Sequence, residues 1–270
     1  MVWRLTLHLL VVVVLTLLTE IGGLIWLIAL VVRAMLRWQG RRALLLFFVL
    51  LYAAGTLITQ QIAPLFGRVP LSCFAGDSVS FSVRSPLFCA LNRNYVTPKL
   101  KSAATVLADH MQKTFPGTKT VALDANFPFI DGFPLMPHLS HSDGRKLDIA
   151  FYYKDEMGTF RNGETRSPIG YFAFEQPLPN SSLPCANRGR WLSFRWDLAF
   201  LQPLFPSWHI EDRRMTEALS WLSADGKKFG IEKVFVEPHI AARLRLASPV
   251  IRFQGCRAAR HDDHIHIQVR

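Results

Sequence analysis

Five of the chain's nine histidines fall in two short segments. The first reads Pro137-His138-Leu139-Ser140-His141-Ser142-Asp143-Gly144-Arg145-Lys146-Leu147-Asp148; the second holds His261, His264 and His266. Imidazole nitrogen and carboxylate oxygen are donors that zinc accepts. Two or three imidazoles and one carboxylate at one point make a zinc site of the catalytic kind, with three protein ligands and a position left for water. A structural cysteine-zinc site is not expected, because Cys73, Cys89, Cys185 and Cys256 show no Cys-x-x-Cys spacing.

Such a site needs two strands side by side. Leu147-Asp148-Ile149-Ala150-Phe151-Tyr152-Tyr153 has the β-branched and aromatic content of a strand. His264-Ile265-His266-Ile267-Gln268-Val269 alternates polar and apolar residues. Successive strand side chains point to opposite faces, so His264 and His266 share one face and the isoleucines take the other. If the two strands are neighbours, Asp148, His264 and His266 converge, and His141 arrives from the loop ahead of the first. Neither motif alone is specific; their conjunction is.

At these residues the chain resembles a family. His141-x6-Asp148 together with His264-x-His266 is similar to the shared signature of the zinc peptidases that group lysostaphin-type enzymes, D-Ala-D-Ala peptidases and the hedgehog signalling domain. The closer similarity is to the penicillin-insensitive murein endopeptidase branch. Its extra histidine three residues ahead of each motif is matched by His138 and His261, and Glu232 to Ile240 resembles its strand-to-helix passage. The resemblance covers about residues 95–270, and only the motifs are specific. It implies zinc as cofactor and hydrolysis of peptide bonds in the peptidoglycan stem, at D-alanyl cross-links or a neighbouring bond. The branch is soluble and periplasmic, and shares nothing with the chain's N-terminal part.

Site chemistry then assigns roles. His141, Asp148 and His266 are the expected ligands, and His264 the general base or the group that stabilises the tetrahedral intermediate. His261 stands where the dipeptidase branch usually carries a glutamate, and is a second candidate base. Asp262 and Asp263 are expected to orient the imidazoles, and His138 to support the site or touch substrate. A non-catalytic zinc module that binds wall peptides or a protein partner is the competing class, as the hedgehog resemblance warns.

The rest of the chain supplies the frame. Leu5 to Val32 is almost wholly apolar and too long for a secretory signal, so it reads as a membrane helix, with a second span at Ala43 to Thr59. Arg33, Arg37, Arg41 and Arg42 lie between them. The positive-inside rule makes that loop cytoplasmic and puts both chain ends on the far side. The expected divisions are a membrane anchor over 1–60 (spans about 5–32 and 43–59), a linker and lead-in over 61–95, and a peptidase-like domain over 96–270. Localisation follows: a bacterial inner membrane, with the C-terminal domain periplasmic. Glu20, beside Gly22-Gly23, receives no role.

Within the lead-in, Asp77 to Val83 alternates like a strand that hairpins onto the domain edge. Thr97-Pro98 starts a helix to about Thr114 that buries Leu100, Ala104, Leu107 and Met111. Glu211 to Ala224 is amphipathic, with Met215, Leu219 and Leu222 inward, and Ile231 to Val236 is a strand. The fold class is α+β, a small, mostly antiparallel sheet with outer helices whose central strands carry the ligands. Much of the aromatic stretch Asp155 to Trp208 is expected to be core and sheet packing and the rest to line a groove, with Arg161, Arg166, Arg190 and Arg195 as candidates to meet substrate carboxylates.

Four cysteines after the membrane segments suggest two disulfides, Cys73–Cys89 being the local option among three pairings. Six arginines and one glutamate in residues 1–68 leave about +6 of the net +11 on the remainder, which suits an anionic polymer or membrane surface. Nucleic acid is not an expected partner, since no recognised motif appears. A Gly-x-Ser-x-Gly elbow, a phosphate-binding Gly-x4-Gly-Lys and a His-Glu-x-x-His helix are absent from the sequence.

Overall fold

The structure is a computed structural model that describes residues 2–38, 40–74, 78–179, 181–186 and 195–270. Its N-terminal part is three apolar helices: α1 (Val2–Thr19), α2 (Gly22–Met35) and α3 (Arg41–Ile62). Two stretches, Val2–Thr19 and Arg41–Phe66, are long and apolar enough to cross a membrane. The single helix expected over residues 5–32 is therefore corrected. The chain reverses at Glu20, which sits in the left-handed region at φ 65°. Gly22 and Gly23 permit the tight return, since a Cβ on Gly23 would lie 2.0 Å from Thr16 Oγ1 and one on Gly22 2.5 Å from Thr19 Oγ1. Hydropathy averaged over a window does not register a reversal marked by one acid and two glycines within an apolar run.

The reversal moves the N-terminus. Trp26 on α2 donates to His8 on α1 at 3.3 Å and packs edge-on against Phe48 of α3. Arg4, Arg33, Gly40 and Arg41 line one cavity at the same end of the bundle. The start of α1 thus lies beside the arginine-rich turn, and not at the opposite end as the two-span reading required. Gln39 of that turn lies outside the described residues.

The rest is α+β. Six strands, β1 (Phe81–Val83), β2 (Thr120–Ala122), β3 (Lys146–Ala150), β4 (Ile231–Phe235), β5 (Ile251–Arg252) and β6 (His264–Val269), form one sheet in the order β5-β4-β6-β3-β2-β1. The inner pairings β4-β6, β6-β3 and β3-β2 are antiparallel, and the edge pairings β5-β4 and β2-β1 are parallel. The linker expected over 61–95 is also corrected. It contributes β1, which pairs with β2 in parallel, and α4 (Pro86–Ala90). The strand expected within Asp77 to Val83 is present over Phe81–Val83, at the edge of the sheet. Asp77, expected to begin that strand, and Gly76 lie outside the described residues.

Helices cover the sheet where the apolar spacing demanded. α5 (Pro98–Thr114) starts at Thr97, whose side chain accepts from Leu100 N at 3.3 Å, and buries Leu100, Ala104, Leu107 and Met111. α6 (Asp212–Ser223) is capped by Glu211, which accepts from Arg214 N at 2.9 Å, and buries Met215, Leu219 and Leu222. α7 (Pro238–Arg243) follows β4. These faces meet Leu147, Ile149, Ile265 and Ile267 in one core. Of the aromatic stretch, Tyr171 and Phe174 are buried, Phe160, Phe172 and Trp208 pack against the core, and Trp196 is exposed. Arg190, Trp191, Phe194 and the turn at Asn187-Arg188-Gly189 lie outside the described residues.

Both disulfides form, Cys73–Cys89 and Cys185–Cys256, closing loops of 16 and 71 residues. A cross-link stabilises chiefly by restricting the unfolded chain, in proportion to the logarithm of loop length. Serine at both Cys185 and Cys256 is expected to lower the unfolding free energy by about 4 kcal/mol, against about 3 kcal/mol for the Cys73/Cys89 pair. Denaturant titration of the two double variants checks the order; a larger loss from the short loop would contradict it.

Candidate metal centre

The register of the central strands brings the two motifs together. β6 and β3 pair with His266 opposite Asp148 and His264 opposite Ala150. Ile265 and Ile267 turn into the core, which fixes the histidine face, because a one-residue slip would exchange the two faces. His141, from the loop before β3, is buried against the same point. Its Nδ1 donates to Ala125 O at 2.6 Å, so in the neutral ring the lone pair is on Nε2.

The donor atoms lie close to one another. His141 Nε2 is 3.1 Å from His266 Nδ1 and 3.3 Å from Asp148 Oδ1, and His266 Nδ1 is 2.9 Å from Asp148 Oδ1. His138 Nδ1 is 3.3 Å from Asp148 Oδ2 and 3.1 Å from Asp124 Oδ2. His138, His141 and Asp148 each bring a ligand atom within 4.8 Å of the others, a group able to hold a metal ion. Ligand atoms held about 2.0–2.1 Å from a tetrahedral zinc are separated by roughly 3.3 Å, so the spacing observed is that of a coordination sphere.

Around this point the charges are arranged in opposition. Burial works against the ionised Asp148 carboxylate, but His141 and His264 outweigh it and hold the carboxyl well below its ordinary range. Burial likewise works against a charged His264, but Asp148 and Asp263 outweigh it and lift the imidazole to about 9. His266 is pushed down to about 4 by burial, against the pull of Asp148. His261 falls well below the usual imidazole range through burial and through the neighbouring His264 and His266. The two candidate bases are thus set apart, His264 held toward its protonated form and His261 toward its neutral one.

Further residues hold these in place. His264 Nδ1 is hydrogen-bonded to Asp263 Oδ1, whose partner oxygen accepts from Phe172 N at 2.6 Å. Asp263 is the orienting carboxylate that was expected. Asp262 is not: Arg260 grips it, with Nε donating to Oδ1 at 2.9 Å, and Arg260 also reaches Asp197 Oδ1 at 2.8 Å. On a strand lead-in, neighbouring side chains diverge, so only one of two adjacent aspartates can face the imidazoles. His138 is closer in than a supporting loop residue, lying 4.8 Å centroid to centroid from Tyr171 and 5.4 Å from His141.

Three contributors escaped the sequence reading. Tyr171 donates to Asp148 Oδ2 at 2.7 Å and accepts from Asp124 N at 3.0 Å. Burial first, then the charges of Asp148 and Asp124, keep its phenol protonated far above neutral pH. Asp124 receives Arg93 Nε at 2.8 Å. Each is a single residue with no periodic signal; only the apolar run Val121-Ala122-Leu123 ending at Asp124 hinted at a carboxylate delivered by a strand. Of the arginines considered for substrate, the three that are described are engaged elsewhere. Arg195 is paired with Glu237, Arg161 with Glu164, and Arg166 with Pro206 O and Phe174 O.

The centre opens into a cavity of about 170 Å³ lined by His138, His141, His261, His264 and His266, with Gln254, Ala258 and Ala259 opposite. Nε2 of His264 and Nε2 of His266 are buried without a hydrogen-bond partner. Buried polar atoms are nearly always paired, so these two mark places for groups that the chain does not itself supply. No protein-family model and no curated protein matches the chain.

Proposed function

We propose that the protein is a membrane-anchored zinc peptidase acting on the stem peptides or cross-links of peptidoglycan. The observation that carries the reading is the triangle of His141 Nε2, Asp148 Oδ1 and His266 Nδ1, with edges of 2.9, 3.1 and 3.3 Å. Two nitrogens and one oxygen, with His141 fixed in one tautomer by a backbone carbonyl, are a donor set suited to zinc with a position to spare. His138 is the weaker third ligand, because its Nδ1 is already shared with Asp124. Bound zinc supplies a water acidified toward neutral pH and polarises a carbonyl.

The chain's own groups do the rest. His264, held by Asp263, turns its unpartnered Nε2 to within 3.6 Å of Asp148 Oδ2 and carries a proton there. It donates to the oxygen that gains charge as the peptide carbonyl is attacked. His261, neutral and with its ring 5.0 Å from that of His264, takes the water's proton and returns it to the departing amine. Tyr171 donates to Asp148 and keeps its second oxygen from turning away. The resemblance in the two motifs supports a wall peptide as substrate, and a tethered domain on the wall side suits that work.

The test is the full chain, purified with zinc and incubated with isolated peptidoglycan. Release of new amino groups is expected. Zinc bound at one equivalent with no release would establish a non-catalytic module that binds wall peptides or a protein.

Membrane orientation is tested separately. A reporter active only outside the cytoplasm is expected to be active after Arg270 and silent beside Trp38. Fused ahead of Val2 it is also expected to be silent, because α1 and α2 form a hairpin. Activity there would restore one straight span over residues 5–32, and the reverse pattern at Arg270 and Trp38 would remove the wall substrate.

A further inference from the structure

Glu20 is the acid within the apolar N-terminal segment, and the turn it occupies is one that glycine adopts more readily. Two glycines follow it, yet the left-handed position holds a glutamate whose side chain is buried. The carboxylate accepts two consecutive backbone hydrogen bonds, from Phe129 N at 3.0 Å and Ile130 N at 2.7 Å. Those amides belong to the loop between β2 and the first histidine motif.

That loop also grips the motif. Ala125 O accepts the Nδ1 proton of His141, and Gly132 N donates to Ser142 O at 2.8 Å. Between these two contacts lie Phe129 and Ile130. Arg68, fully buried, ties the same segment down by donating to Phe127 O and pairing with Asp131. Glu20 itself is steadied from behind: Asn92 Nδ2 donates to Thr19 O at 3.3 Å and lies 3.1 Å from Tyr52 Oη, which donates to Ala90 O at 2.6 Å. A loop with one end on the side chain of His141 and the other on its chain neighbour, clamped at its middle by one carboxylate, sets where His141 stands.

We propose that Glu20 is a positioning residue for the metal centre, acting from the tip of the α1–α2 hairpin through residues 125–132 on His141. The inference rests on the reading of His141 as a ligand. It makes the helical hairpin part of the apparatus that aligns the centre, in addition to any anchoring.

The experiment uses the full chain in detergent with cobalt(II) as the metal probe, read by affinity, visible spectrum and amide exchange. In Glu20→Ala, the Phe129 and Ile130 amides are expected to exchange at least about tenfold faster. Cobalt affinity is expected to fall about tenfold, with an altered visible spectrum, the scale seen when an outer partner of a ligand is lost. Glu20→Gln keeps one oxygen acceptor and is expected to recover much of both, and serves alone if the alanine variant does not fold. Tyr52→Phe loosens the support behind Glu20 but leaves its carboxylate on the loop, and is expected to disturb the cobalt spectrum less than Glu20→Ala does.

The proposal is overturned if the two amides do not respond, or if they respond while affinity and spectrum stay put. It is equally overturned if Tyr52→Phe disturbs the metal as much as Glu20→Ala does. A wild-type chain that takes no cobalt ends this proposal and the metal reading together; cobalt bound alike by wild type and Glu20→Ala ends this one alone.

Discussion

Replacing His264 by alanine is expected to leave about one zinc per chain while hydrolysis falls about 10²–10⁴-fold, the weight of a positioned acid or base. The three atoms at the triangle's corners belong to other residues, so coordination survives. What disappears is the Nε2 group that Asp263 aims past Asp148 into the cavity. Asp263→Asn is expected to show a milder version of the same loss, since the imidazole stays but its proton is held less firmly. Metal content and turnover must be measured on one preparation. If zinc leaves with His264, that residue is a ligand and the assignment of His266 or His141 is wrong.

The second large effect is expected at Asp148. Its carboxylate contacts His138, His141, His266 and Tyr171 from a position with no solvent access. Asp148→Ala removes a ligand and strands several buried donors, so metal binding is expected to vanish and folding stability to fall by roughly 3–5 kcal/mol, the cost of breaking a buried ionic cluster from one side. His141→Ala and His266→Ala are expected to lose zinc and activity with a smaller folding cost, because the carboxylate keeps other partners. His138→Ala is the informative companion. It is expected to retain zinc; if it loses zinc while His266→Ala does not, the third ligand is His138. Retention of zinc in all the variants would show that the strands do not form the centre.

The part of this arrangement legible in the sequence is the part that obeys a period. The alternation in His264 to Val269 tells which face each histidine takes, and the isoleucines lock the register that sets His266 against Asp148. Helices α5 and α6 were legible for the same reason, with their caps and apolar spacing agreeing. Contributions made by single residues were not. Tyr171 reads as one more aromatic in an aromatic stretch, and its hydroxyl is informative only once Asp148 is seen 2.7 Å away. Glu20 reads as an anomaly within an apolar run, because the backbone amides it serves lie 109 and 110 residues further along. Asp262 and Asp263 are indistinguishable by composition; Arg260 decides between them. The alternation ending at Val83 marked the edge strand Phe81–Val83, but not its parallel partner, which lies in a distant segment.

The order of strands in the sheet has a consequence for how the protein is made. β6, the last of the six strands to be synthesised, is inserted between β3 and β4, and its His266 meets a partner 118 residues earlier. At roughly 5–20 residues per second, a growing chain waits about 6–24 s between producing the two. Through that interval β3 lacks the neighbour that pairs its inner edge, as β4 does once it is made, and long-range pairings of this kind form slowly. Until β6 is made, the chain holds only the donors of the first motif, His138, His141 and Asp148. On the reading proposed above, the emerging chain lacks its third ligand until β6 is made, so topology alone sets when the centre can form.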